Sequence, residues 1–384
     1  MQHFPTDPTE KRDYLLNAVK RIGPTLRDCA VRNEELGTLA QPAVACLQES
    51  GMLRLKLAEE FGGAQADPML QMDVLEALAY HDLTAAWVTM VGTTGVSVLG
   101  AFLPEAGLRQ IFANGVPRGS VQPAPMAVAK AVEGGYEVSG RWRFNSGVKH
   151  SEWAAVGARQ KLPDGSMRLL IMGLPIKDAT IHENWDVMAL QGTGSCDMSV
   201  VDYFVSAELT NDWSFTDPQP LRGGPLYTMP WSSYVSNEHA IVVVGAAKRA
   251  LDELINEAKT TRSTMRPSKL DQRQVVHRFI GEAHLKLDAA RALLYRQYES
   301  VWARVQAGHR LTATELNELR ALGTFCTDVA VEIVTQAFRY GGGKALFRPN
   351  IFERLLRDVN AAGQHFAVSD QAIEDYGRSL LGLE

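Results

Sequence analysis

The chain has 384 residues, 46% hydrophobic and 22% charged, with a formal net charge of −5. That balance excludes a disordered or fibrous chain and leaves room for two or three globular domains at about 150 residues each. No basic block offers itself to nucleic acid, no apolar run approaches the roughly 20 residues that span a bilayer, and no signal-peptide pattern opens the chain. Cys29, Cys46, Cys196 and Cys326 are scattered without a CxxC, so they read as free thiols and a cytoplasmic location is expected.

From Thr9 to Phe112 the pattern is helical, with apolar residues at helical spacing in Asp13–Glu34, Gln41–Gly51 and Pro68–Ala79. Val91–Gly100 is small and apolar, and its Gly92-Thr93-Thr94-Gly95 run fits tight helix packing and the wall of a pocket equally well. From Pro117 to Asp217 short β-branched or alternating runs appear at Tyr136–Ser139, Trp153–Ala158, Leu169–Met172 and Val200–Val205. Turn signals such as Gly134-Gly135 and Pro163-Asp164-Gly165 separate them. From Ser232 to Leu383 long stripes return. Val276, Ile280, Ala283, Leu287, Ala290 and Leu294 form one, and Leu319, Leu322, Cys326, Val329, Ile333 and Gln336 another, the seams of an antiparallel bundle. The expected domains are 1–116 helical, 117–228 β and 229–384 a helical bundle.

There is no HExxH, GxSxG or P-loop, because Gly341-Gly342-Gly343-Lys344 is followed by Ala345 and no hydroxyl is placed for magnesium. The nine histidines show no metal-ligand spacing, so no metal is expected. If the protein is an enzyme, an organic cofactor carries its chemistry. Three stretches offer candidate sites. Gly140–Trp153 is dense in polar and aromatic residues: Trp142, Phe144 and Trp153 can stack on a flat ring, and Asn145 and Ser146 can bond its edge. On composition alone, a twisted strand with half-buried tryptophans fits it better. Gln191–Ser195 places glycines for close backbone approach and a hydroxyl at Ser195, although such a segment is more often a plain turn. Arg357 and Asp358 can pair to fix a helix end, with His365, the side chain suited to proton transfer near neutral pH, seven residues on.

Helical, β and helical regions in this order, with these motifs, resemble the acyl-CoA dehydrogenase superfamily over nearly the whole chain. The likeness lies in Gly245–Glu253 and Gln274–Arg291, similar to the first two bundle helices, in Trp185–Val205, and in Arg354–Asp358, similar to the family's ER-x-x-RD segment. The expected fold is therefore mainly α with a middle β-barrel or sandwich and a C-terminal four-helix bundle. The family's catalytic glutamate, about eight residues after that RD, has no counterpart: Ala361–Ser369 holds no carboxylate. A second base position used by some members falls near Val235, with Glu238 close by. His365 after the RD, and Trp142, Phe144, Ser146-Gly147, His150 and Trp153 in a W-x-F-x-SG-x-x-H-x-x-W pattern, resemble instead the two-component flavin-dependent monooxygenases of the same fold.

That resemblance implies reduced FMN or FAD delivered by a separate NAD(P)H-dependent flavin reductase, O2 as co-substrate, and a C4a-hydroperoxide that oxygenates an aromatic, polycyclic or amine small molecule. It implies that Ser146 bonds flavin N5, and that Trp142, Phe144, Asn145 and Ser195 shape the flavin site with Arg262 as a weaker candidate. His365 is then a base or a hydrogen-bond partner, steadied by Arg357 and Asp358. Gly92, Thr93, Thr94 and Glu238 line the substrate pocket. A homotetramer is the family expectation. Two alternatives stay open: an acyl-CoA dehydrogenase or oxidase using a relocated base such as Glu238, and a non-catalytic scaffold of the same fold.

Overall fold

The computed structural model describes residues 3–260 and 269–383, so Arg262 lies outside the described residues. The chain forms two compact units: residues 1–74, 84–187 and 191–234 make one, and residues 75–83, 188–190 and 235–384 the other.

The first unit begins with α1 (Pro8–Leu36) and α2 (Gln41–Glu49). The Asp7 carboxylate caps α1 by accepting the Glu10 N–H at 2.9 Å, and Gly37, in the left-handed region at φ 58°, ends it. α3 (Pro68–His81) is shared between the units, and α4 (Leu83–Phe102) and α5 (Glu105–Ile111) follow. α4 corrects the expectation about apolar runs: at 20 residues it is long and apolar enough to cross a membrane, but almost all of it is buried as a core helix. Its threonines and serine disguise the run in the sequence. They are buried with satisfied hydroxyls, Thr89 donating to the Ala85 carbonyl and Ser97 to that of Thr94, each at 2.8 Å.

The strands are β1 (Gly119–Val132), β2 (Gly135–Trp142), β3 (Trp153–Lys161), β4 (Met167–Pro175), β5 (Thr180–His182), β6 (Asp197–Ser206) and β7 (Thr210–Asp212). They make one seven-stranded sheet in the order β5-β6-β2-β1-β3-β4-β7, antiparallel except where β1 runs parallel to β3. Glu133-Gly134 turns β1 into β2, with Gly134 at φ 78°. β1 escapes a pattern search because Pro123 and Pro125 argue against a central strand. The structure admits them where the β1–β3 register shifts, between Gln122 and Ala127.

The second unit carries α6 (Trp231–Thr260) from Val235 onward, α7 (Gln274–Gln306), α8 (Ala313–Gly341), α9 (Ile351–Ala362) and α10 (Asp370–Leu380). Among the described residues this segment has three long and two short helices. Val276, Ala283, Leu287, Ala290 and Leu294 are buried on α7, and Leu319, Leu322, Cys326, Val329 and Ile333 on α8, along the stripes read from the sequence. The Thr312 hydroxyl and Glu315 carboxylate close a capping box at the start of α8. The part of α3 in this unit is locked in by polar contacts. Glu76 pairs with Arg291 at 2.8 Å, and the Tyr80 hydroxyl donates to Asp252 at 3.0 Å.

Candidate active site

In the first unit the run after β2 turns sharply. Phe144 sits in the left-handed region at φ 61°, a conformation that costs a side-chain-bearing residue about 1–3 kcal/mol and clusters at functional sites. The strain turns its ring outward, 62% exposed and edge-on to Trp185 at 6.1 Å. The next residues are zipped to the loop before β6. The Asn145 N–H and side-chain amide both donate to the Cys196 carbonyl at 3.2 Å, and the Gly147 N–H donates to that of Thr193 at 2.8 Å.

This places three hydroxyls in a row. Ser146 Oγ is 2.7 Å from Ser195 Oγ, which is 2.7 Å from Thr193 Oγ1. The indole N–H of Trp87, on α4, donates to Ser146 Oγ at 3.3 Å. An indole N–H can only donate, so Ser146 must accept there and its own proton points elsewhere. Ser195 stands between two hydroxyls and can accept from either while donating to the other. Running from Thr193 to Ser146, the chain leaves the Ser146 proton free to be donated outward. Running the other way, that proton goes to Ser195. An acceptor presented to Ser146 is therefore met by rotating hydroxyls, with no movement of heavy atoms. Ser146 is also held by its carbonyl, which accepts from Ser120 Oγ at 3.0 Å.

Two residues expected at the cofactor point inward instead. Trp142 is completely buried, with its N–H donated to the Gly157 carbonyl at 2.7 Å, so its ring fills the core and offers no face for stacking. Trp142 ends β2 on the buried side of the sheet, and strand alternation decides which way it points. Asn145 is equally buried, with its amide donated to the Trp142 and Cys196 carbonyls, and it braces the loop. The glycines of Gln191–Ser195 serve close approach to protein: a Cβ on Gly192 would stand 2.7 Å from Asn33 Cβ, and one on Gly194 2.8 Å from the Gly37 carbonyl.

Helix packing likewise accounts for Gly92–Gly95. A Cβ on Gly95 would meet the Ser120 carbonyl at 2.5 Å, and one on Gly92 the Gly119 carbonyl at 3.2 Å. Thr93 Oγ1 accepts the Lys56 N–H at 2.8 Å, and Thr94 Oγ1 the Lys56 ammonium at 3.2 Å. That buried ammonium also donates to the Tyr234 carbonyl at 2.9 Å.

In the second unit His365 follows α9 and stacks on His239 of α6, with ring centroids 4.2 Å apart and planes 24° from parallel. Burial, and then the neighbouring His239, hold the His365 pKa well below the usual imidazole value. Two full charges about 4 Å apart repel by about 4 kcal/mol at an effective dielectric near 20, so such a stack resists carrying two protons. Glu238, expected near the substrate, is buried in the core, where its charge bears on the Tyr298 hydroxyl and helps to raise that group's pKa.

The contacts of Arg357 and Asp358 described here run to different residues, because neighbouring helix positions face different directions. Arg357 pairs with Glu353 one turn back at 2.7 Å and donates to the Met188 carbonyl at 2.9 Å. Asp358, buried, accepts the Leu190 N–H at 2.7 Å, and Leu190 is itself in the left-handed region at φ 49°. Both side chains of the RD pair thus hold residues 188–190. Trp87 and His239 are the residues that sequence reading missed. Trp87 is hidden in the apolar texture of α4. The one signal for His239 was its place beside Glu238, one helical turn after Val235.

Comparison with known proteins agrees with this architecture. Residues 238–370 match the family described as Acyl-CoA dehydrogenase, C-terminal domain. The indole-3-acetate monooxygenase of Acinetobacter baumannii is 27% identical over 93% of this chain and 91% of its own length. The flavin-dependent monooxygenase oxygenase subunit HsaA of Rhodococcus jostii is 28% identical over 94% of this chain and 96% of its own. The structure of XiaF from Streptomyces sp., solved with FADH2 and glycerol, superposes with a TM-score of 0.90 at 23% identity, covering 98% of this chain and 97% of that one. The fold is that of the acyl-CoA dehydrogenases. Within it, the chain is similar over nearly its whole length to proteins named as flavin-dependent monooxygenases.

Proposed function

We propose that this chain is the oxygenase component of a two-component system, taking reduced flavin from a separate NAD(P)H-dependent reductase and placing one oxygen atom of O2 on an aromatic small molecule. The observation that carries this reading is the hydroxyl row ending at Ser146, capped by the donor-only Trp87. Its donor set fits a flavin edge: a hydroxyl whose proton can be turned outward suits a ring nitrogen, and the exposed Phe144 ring lies two residues away. Reduced flavin, when bound, supplies the two electrons and the carbon at which O2 is activated.

The chain's residues supply the rest. Ser146 donates to the flavin ring, and Ser195 and Thr193 let that proton reorient. Phe144 flanks the ring. His365 engages the substrate, and Arg357 and Asp358 steady residues 188–190. The missing carboxylate in Ala361–Ser369 leaves thioester α-proton abstraction without its usual base. Aromatic substrates are proposed because the Acinetobacter relative is named for indole-3-acetate. FAD and FMN are both candidates, and a homotetramer is proposed from the same likeness.

The test supplies chemically reduced FMN or FAD and O2 with a panel of indoles and phenols, and measures hydroxylated product against hydrogen peroxide released. Product in better than trace ratio to peroxide is expected with at least one flavin. Flavin reoxidation at the free-solution rate with no product from any substrate, together with reduction of bound FAD by an acyl thioester, would overturn the reading.

A further inference from the structure

Two side chains flank the hydroxyl row without joining it. The row is carried by two chain segments, 146–147 and 193–195, joined by the bond from the Gly147 N–H to the Thr193 carbonyl at 2.8 Å. Thr38, just past α1, packs on the second segment: a Cβ on Gly194 would lie 3.4 Å from Thr38 Cβ. His150 packs on the first: a Cβ on Gly147 would lie 3.2 Å from His150 Nε2. The two side chains meet, with Thr38 Oγ1 3.4 Å from His150 Nδ1.

We propose that Thr38 and His150 form a brace across these two glycines, positioning residues that set the distance between Ser146 and Ser195 and so aim the Ser146 hydroxyl at the flavin ring. This rests on the reading of Ser146 as the group that donates to the flavin. Gly147 and Gly194 have no side chains to hold each other, and each adjoins one of the two serines. The Thr38–His150 contact supplies the missing tie.

Both halves of the brace are anchored. The His150 N–H donates to the Gly147 carbonyl at 3.1 Å, and that carbonyl also accepts from Ser151 Oγ at 2.8 Å. The His150 carbonyl accepts from Arg118 Nε at 2.6 Å, and Arg118 donates in turn to Gln48 of α2 at 2.9 Å. The Thr38 N–H donates to the Asn33 carbonyl in the last turn of α1 at 3.3 Å. Burial, and then Arg118, lower the His150 pKa to about 4, so the ring is neutral near pH 7. A hydroxyl and a neutral imidazole nitrogen can each donate or accept, so the contact forms with either tautomer.

The experiment begins with the flavin-free full chain labelled with 15N-tryptophan. The Trp87 indole N–H, which donates to Ser146 Oγ, reports where Ser146 stands, and its signal is assigned by its loss in Trp87→Phe. Thr38→Val removes the hydroxyl, keeps the shape and should move this signal. Thr38→Ser keeps the hydroxyl and should restore it. His150→Leu should move the signal as Thr38→Val does, and where His150→Leu does not fold, the two Thr38 variants decide. A Trp87 signal that Thr38→Val leaves in place would overturn the proposal.

The second arm follows hydrogen peroxide released per product with reduced flavin and O2. Thr38→Val should raise this ratio about three- to tenfold, the range that one hydrogen bond is worth. In a Ser146→Ala background it should add nothing, because the brace acts through Ser146. The same increment in both backgrounds would show a merely structural role and refute the proposal. Absence of product from the wild type would count against the proposed function alone, because the indole signal still decides the brace.

Discussion

At the residue scale, Ser146 and the groups that orient its hydroxyl make the sharpest claim. Ser146→Ala should leave flavin affinity within a few-fold and shift most consumed reducing equivalents to hydrogen peroxide, measured as product per NADH in a reductase-coupled assay. Trp87→Phe keeps the ring and removes a donor that Ser146 accepts. It should cost about 1 kcal/mol in urea unfolding and raise peroxide release less than Ser146→Ala does. His150, in the same run, has its pKa lowered to about 4, first by burial and then by Arg118. An unfolded histidine titrates near 6.5. Between those values the unfolded chain holds a proton that the folded chain lacks, so stability is full above about pH 6.5 and falls as pH drops toward 4. With its partial exposure allowed for, the loss is on the order of 2 kcal/mol. Thermal unfolding followed from pH 7 to pH 4.5 should show a steeper fall in wild type than in His150→Gln.

At the element scale, close approaches set the geometry. α4 meets β1 at Gly95, where any Cβ would lie 2.5 Å from the Ser120 carbonyl. Ser120 in turn holds Ser146. Gly95→Ala should therefore destabilise by about 1–3 kcal/mol in urea unfolding and weaken flavin binding together, since the clash is with backbone that cannot rotate away. Asp358 acts on a loop. Asp358→Ala leaves the Leu190 N–H without its buried acceptor and should cost about 1–3 kcal/mol, whereas Asp358→Asn keeps an acceptor oxygen and should recover much of that stability.

At the scale of the whole molecule, the proposal separates reduction from oxygenation. The chain alone with NADH and free flavin should yield no product. Adding any flavin reductase should restore turnover in proportion to the reduced flavin supplied, read by chromatography of the product. A chain that oxidises NADH unaided would show that the reductase step is internal. The expected homotetramer is checked by light scattering on the purified chain.

The order of the regions was legible because periodicity and turn chemistry are local. The α7 and α8 stripes and the Gly134-Gly135 turn signal can each be read within a few residues. The missing carboxylate after Asp358 and the run from Trp142 to Trp153 were equally plain in the sequence, and flavin chemistry was expected only through the family resemblance they carry. Three features belong to the tertiary structure alone. Trp142 faces the core because of its place in a seven-stranded sheet. Trp87 reaches Ser146 because α4 packs against β1. His239 finds His365 because α6 and the turn after α9 meet in one unit. A side chain's period says which face it shares, but its partner across that face depends on register and packing between distant segments, and those are settled only when the chain has folded.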